Sequence, residues 1–185
     1  LSGWVDQDAK APNEYRLYFV QSGLGLPDRD YYLKEDDKFK TLRADYLTYL
    51  TNLLKEAGEA EPEAQAKATY ELELALAKAQ WSRAESRDRT KAYNPFTTRE
   101  LQTQWPALPW ASFFAGLGAT PERVIIRQPS FVKALSELLT EERLPAWRSY
   151  LKAHLISDRA PYMGARLEGL HFDFYGVKVS GKEAN

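Results

Sequence analysis

Apolar residues recur at helical spacing along most of this chain. Phe39, Leu42, Tyr46, Leu50, Leu53 and Ala57 lie three or four apart and predict one long helix, with Gly58 where a C-cap belongs. Pro62 suits the first turn of a second helix, whose pattern runs to about Arg87. That helix carries two apolar stripes, one of Tyr70, Leu74, Ala77, Trp81 and Ala84, the other of Leu72, Leu76 and Ala79. A helix apolar on two sides is packed by neighbours on both, so this one is predicted to be central, with the Tyr70 to Trp81 stripe buried. Thr97-Thr98-Arg99-Glu100 spells a capping box and opens a short helix that ends before Pro106. Pro109-Trp110 opens another, holding Phe113, Phe114 and Leu117. Ser130 is predicted to cap a helix with Phe131, Leu135, Leu138 and Leu139, and Thr140 one with Leu144, Trp147, Leu151 and Leu155. A last pattern runs from Asp158 to Phe174.

Strand character is scarce. Tyr15 to Val20 has the aromatic and β-branched content of a strand, and Val124-Ile125-Ile126 is a short extended piece before Pro129. Gly23-Leu24-Gly25-Leu26-Pro27-Asp28-Arg29-Asp30 is a tight connector between that first strand and the first long helix. No fixed-period repeat occurs, which excludes a solenoid. The chain therefore reads as mainly α, a multi-helix domain with a short N-terminal strand, spanning residues 1–185 as one domain.

Composition narrows the classes of function. The 185 residues are 44% hydrophobic, with five Trp, eleven Tyr and eight Phe, which is a globular composition. A chain of this length buries roughly 70% of its unfolded surface, enough for a core without covalent staples. Basic and acidic residues number 25 and 26, for a net charge of −1, so no electrostatic footprint for nucleic acid or anionic lipid exists. Cysteine is absent, which removes disulfides and thiolate zinc sites. No apolar run approaches the roughly 18 residues that span a bilayer. The chain opens at Leu1 without methionine and closes at Val179-Ser180-Gly181 and four further residues in mid-pattern, and both ends are expected to lie inside a longer parent.

Chemistry is sparse in the residues themselves. A helical zinc site needs two His one turn apart, and here His154 and His171 stand 17 positions apart, each in an ordinary amphipathic or aromatic setting. Glu35-Asp36-Asp37 lacks the spacing of a calcium loop. No Ser sits in a nucleophile elbow, and Gly23-Leu24-Gly25 lacks the third glycine of a dinucleotide fingerprint. Glu71 and Glu73, two apart on the central helix, point in different directions and are read as structural. Asp28, Arg29 and Asp30 are read as turn caps that pair with one another across the turn, and Glu85, Arg87, Asp88 and Arg89 as ion pairs at a helix end. No catalytic, cofactor-binding or metal-ligating residue is assigned.

One string is far more specific than its physics. Gly23 to Leu33, with Arg29-Asp30-Tyr31-Tyr32 at its end, resembles a segment of the neprilysin-like and endothelin-converting-enzyme-like zinc metallopeptidases. Further pieces follow the order of that family: Val5 to Asp8 before Tyr15, then Tyr70-Glu71-Leu72-Glu73-Leu74 to Ala77. Arg87-Asp88 with Tyr93-Asn94, Trp110, Val124 to Ile126, and Phe172-Asp173-Phe174-Tyr175 before Ser180-Gly181 complete the series. The resemblance implies the largely helical N-terminal portion of a two-lobed peptidase, a lobe that covers an internal cavity and restricts substrates to short peptides. It also implies that zinc is held by the other lobe of the parent chain, through HExxH and ExxxD motifs absent here. The partners so implied are that catalytic lobe and peptide substrates, and the implied setting is export to a bacterial periplasm or beyond. The alternative is a stand-alone helical interaction domain without activity.

Overall fold

The structure is a computed structural model that describes residues 1–183. In chain order it contains β1 (Ser2–Gln7), β2 (Tyr15–Val20), α1 (Asp30–Leu33), α2 (Asp37–Glu56), α3 (Pro62–Ala79) and α4 (Arg83–Ser86). There follow β3 (Asn94–Thr97), α5 (Thr98–Gln104), α6 (Trp110–Gly116), β4 (Arg123–Ile126), α7 (Pro129–Leu138), α8 (Leu144–Arg159) and α9 (Gly164–His171). The fold is mainly helical, as the periodicity predicts. Backbone contacts divide the chain into two compact units, Leu1–Gly23 with Ala79–Glu141, and Leu24–Lys78 with the chain from Glu142 onward.

The first unit is built on a four-stranded sheet in the order β1-β2-β4-β3, where one N-terminal strand and one extended piece are predicted. β1 and β2 pair antiparallel from Ser2↔Val20 to Gln7↔Tyr15. β4 lies parallel to β2, with Phe19 opposite Ile126, and antiparallel to β3. Val124, Ile125 and Ile126 are fully buried, the mark of a central strand covered on both faces. Phe19, Leu101, Trp105, Trp110, Phe114 and Val132 complete this core. β1 and β3 escape a sequence reading because β1 is exposed along its whole length and β3 contains a proline. Asp8 ties the β1–β2 loop, since its Oδ1 accepts from the Lys10 N–H at 2.8 Å and from the Tyr93 hydroxyl at 2.7 Å.

Three helix boundaries differ from their predictions, and for α3 and α7 the reason is tertiary. α3 stops at Ala79 instead of continuing to Arg87. The Gln21 side chain captures the Trp81 backbone on both sides, Oε1 accepting from its N–H at 2.7 Å and Nε2 donating to its carbonyl at 2.8 Å. The Trp81 N–H is thereby lost to the helical ladder, and a Ser82–Glu85 capping box starts α4 afresh. α7 begins at Pro129 rather than after Ser130, whose hydroxyl accepts from Trp81 Nε1 at 2.6 Å. The Thr97–Glu100 capping box of α5 is present as predicted.

The second unit centres on α2, which buries Leu42, Tyr46, Tyr49, Leu50, Leu53 and Leu54. Asp36 caps its start by accepting from the Phe39 N–H at 3.2 Å. Its end is a Schellman turn, in which Glu59 N–H donates to Leu54 O at 3.1 Å around Gly58 at φ +80°. α3 packs with Ala66, Thr69, Leu72, Glu73, Leu76 and Ala77 buried, while Tyr70 and Leu74 are half-buried and Ala84 is exposed. The second stripe is thus the deeper one, not the Tyr70 to Trp81 stripe. α8 starts at Leu144 after a 3₁₀ turn over Glu141–Arg143, so Thr140 is not its cap. Beyond α9, Phe172–Val179 winds as a π-helix and stacks Phe174 on Tyr49, ring centres 4.9 Å apart.

Two predictions follow from this packing. Leu53→Ala, at a fully buried site, costs about 2–5 kcal/mol in urea unfolding, and Leu74→Ala costs distinctly less. Equal losses at the two positions refute the assigned depth. Burial opposes ionisation of Asp8, but the Lys10 N–H, the Tyr93 hydroxyl, the Ala11 N–H and Arg16 outweigh it and hold the carboxyl below its usual range. A depressed folded-state value means stability that is present above the unfolded value of about 3.9 and is lost as pH falls through the folded one. Asp8→Asn therefore lowers the melting temperature at pH 7 and flattens its fall below about pH 4; an unchanged acid limb in the variant would count against this role.

Candidate functional site

The densest polar chemistry in the second unit surrounds one carboxyl. Glu73 lies on α3 between Leu72 and Leu76, and its side chain is fully buried. Its Oε2 accepts from the Tyr32 hydroxyl at 2.7 Å, and its Oε1 accepts from the Tyr46 hydroxyl at 2.9 Å. His154 Nε2 lies 2.6 Å from the same Oε1. With two hydroxyls already donating to the group, the tautomer that satisfies this contact carries its proton on Nε2. α1, α2 and α8 thus each place one side chain on a single acid of α3. Burial, and then the charge of Glu73, raises the Tyr32 and Tyr46 hydroxyls well above the usual tyrosine range. Both remain donors at any physiological pH.

The connector before α1 wraps this cluster. Leu26 N–H donates to the Tyr32 hydroxyl at 3.0 Å, and Gly25 O accepts from the Tyr175 hydroxyl at 2.9 Å. An added Cβ at Gly25 would overlap the Tyr46 hydroxyl and lie 2.6 Å from Tyr46 Cζ and 3.1 Å from Glu73 Oε1. Glycine is required here by close approach of side chains, not by backbone conformation. Asp28 caps the turn as predicted, its Oδ1 accepting from the Asp30 N–H at 2.7 Å, whereas the Asp30 carboxylate pairs with Lys34 at 2.9 Å.

Beside the cluster is a cavity of about 400 Å³. His154, Ser157 and Asp158 from α8, His171 from α9, Tyr175, Tyr46 and Gly25 line it. The two histidines, dispersed in sequence, therefore meet one space. Burial pushes the His171 imidazole down, with Asp158 opposing. Ser157 Oγ is engaged with the Tyr49 hydroxyl at 2.8 Å, and burial lifts that tyrosine to about 12. His154 has the partner of a general base, an orienting carboxylate, yet its Nε2 is turned to that carboxylate and Ser157 bonds to a tyrosine. The arrangement is a buried tie, not a nucleophile–base pair.

The same donor set does not fit a metal. Among the described residues no group of three or more His, Asp or Glu side chains could hold one. Glu73, the only fully buried acid beside a histidine here, has its oxygens occupied by three donors. Glu71 is exposed and pairs with Lys67 at 3.9 Å. Glu85 closes the α4 capping box, and Asp88 accepts from the Thr90 and Lys91 N–H groups. The Glu73 cluster was hidden from sequence reasoning, although an acid on a buried apolar stripe is the one signal that points to it.

The sequence model for the N-terminal part of peptidase family M13 matches residues 1–185. The chain belongs to peptidase family M13. Endothelin-converting enzyme 1 of Homo sapiens is 29% identical over 191 residues, which cover 99% of this chain and 25% of that enzyme. The crystal structure of the Mycobacterium tuberculosis zinc metalloprotease ZMP1 superimposes with a TM-score of 0.93 at 29% identity, over 99% of this chain and 28% of that one. PEPO from Lactobacillus rhamnosis shares the fold, with a TM-score of 0.83 at 20% identity. This M13 chain thus spans about a quarter of the length of its relatives. The resemblance read from Gly23 to Leu33 holds, and the structure gives part of that string a physical reason: Gly25, Leu26 and Tyr32 enclose Glu73.

Tyr46→Phe removes one donor from a buried carboxyl and costs about 1–3 kcal/mol. Gly25→Ala overpacks the same point and costs a similar amount, about 1–3 kcal/mol. The double variant is less destabilised than the sum, because the hydroxyl that the new methyl meets is gone. Strict additivity in chemical unfolding refutes the contact.

Proposed function

We propose that this M13 chain is the cavity-covering helical lobe of a zinc-dependent metalloendopeptidase, and that the catalytic residues lie elsewhere in the parent polypeptide. The observation that carries the reading is the match of the whole chain to a family M13 model, supported by its likeness to a zinc metalloprotease over 28% of that enzyme. In such an enzyme zinc activates water and polarises the peptide carbonyl. The residues described above supply neither a metal site nor a nucleophile. Their task in this reading is steric: to wall the reaction space, exclude bulk water and admit only short peptides. A unit whose helices are tied through one buried acid suits that task, since a wall selects by size only if it holds its shape. Among the described residues no helix is long and apolar enough to cross a membrane, and we place the parent outside the cytoplasm, in keeping with the resemblance.

The test uses the parent open reading frame. The full protein hydrolyses short peptides, loses activity to a chelator, regains it with zinc, and turns over long unfolded polypeptides far more slowly. The 185-residue chain titrated with zinc in a calorimeter shows no stoichiometric submicromolar site. A parent without HExxH and ExxxD leaves only the inactive interaction domain, and a tight zinc site in the short chain overturns the division of roles.

A further inference from the structure

Helix α8 is built inside out for a helix of an isolated protein. Its buried face carries Ser149, Tyr150, Ala153 and Ser157. Its outer face carries Leu144, Arg148, Leu151, Leu155 and Arg159, at spacings that keep them on one side of a helix. Tyr162, in the 3₁₀ turn over Ala160–Tyr162, continues the line. Leu151 and Leu155 are each 62% exposed and Tyr162 is 84% exposed, with Leu144 and Met163 also exposed. Single exposed apolar residues are ordinary, but a continuous helical row of them marks an interface. Arg148 and Arg159 stand exposed in the same row, with no ion pair or side-chain hydrogen bond among the described residues.

We propose that this row is the docking face for a segment of the parent chain outside these residues, an apolar surface bearing carboxylates opposite Arg148 and Arg159. The proposal rests on the reading of the chain as one part of a longer peptidase. Three observations choose the occupant. The relatives carry this region as 25–28% of a single polypeptide, so the remainder is tethered and present at high effective concentration. Unpaired guanidinium groups set among leucines call for carboxylates across the contact. A second copy docking through the same row would bring arginine against arginine in a two-fold pair, which like-charge repulsion opposes.

Hydroxyl-radical footprinting of the intact parent protein tests this, with the urea-unfolded parent as the unprotected reference. Leu151, Leu155 and Tyr162 are expected to label several-fold more slowly in the folded protein, at every dilution. Arg148→Glu with Arg159→Glu is expected to restore labelling at the row while Leu53 stays protected, which shows that the fold survives. Labelling of the row near the unfolded rate overturns the proposal. So does protection lost on dilution to a monomer, which assigns the row to a second copy, or protection that needs lipid vesicles. A peptidase assay on the same sample separates the two readings. An active enzyme with a freely labelled row refutes the docking face alone, and an inactive protein with a protected row refutes the peptidase reading alone.

Discussion

Glu73 is the constraint around which the second unit is arranged. Removing a carboxyl group from water is costly unless its oxygens are met by donors. Here three donors meet its two oxygens, each from a different element: Tyr32 from α1, Tyr46 from α2 and His154 from α8. Such a contact cannot form until all four elements are in place, and none can shift without leaving a buried polar group short. Apolar packing between these helices would tolerate small slides, whereas hydrogen bonds below 3 Å do not. The glycine at position 25 belongs to the same constraint, because the chain must pass where a methyl group would strike the Tyr46 ring.

The first unit is organised differently. Its core is a sheet whose central strand, β4, arrives late in the chain and inserts parallel to β2, over a hundred residues before it. Long-range pairing of this kind is slow to form. Gln21 adds to it by holding Trp81 through both backbone groups, so one side chain just after β2 decides where α3 ends. The boundary between α3 and α4 is therefore a tertiary event and not a failure of helix propensity.

The chemistry of the two units bears on the division of labour proposed for the parent. The polar groups that look most like a site, His154, Ser157, His171 and Tyr175, line a cavity in the second unit but are committed to Glu73, to Tyr49, to one another or to the Gly25 carbonyl. What remains uncommitted is on the surface, the leucine row of α8 with its two arginines. In the proposed reading, such a lobe contributes shape and an attachment face, and the reacting groups are assigned to other parts of the parent polypeptide.

Periodicity located most of the helices without help from anything else. The long α2, its Gly58 end, the start of α3 at Pro62 and the capping box of α5 follow from local rules, since capping and 3.6-residue patterns involve only neighbours in sequence. The ordered motifs from Gly23 to Tyr175 were enough to reveal family M13. What the sequence did not reveal depends on partners far along the chain. The pairing of β3 into the sheet, the stop at Ala79 and the burial of Glu73 all rest on residues dozens of positions away. α8 is the clearest case. Its leucines announced a helix correctly, but an apolar row is the same in sequence whether it faces a core within these residues or a surface beyond them. Only the placement of Tyr32, Tyr46 and Glu73 around His154 turned the polar side of α8 inward and left the leucines outside.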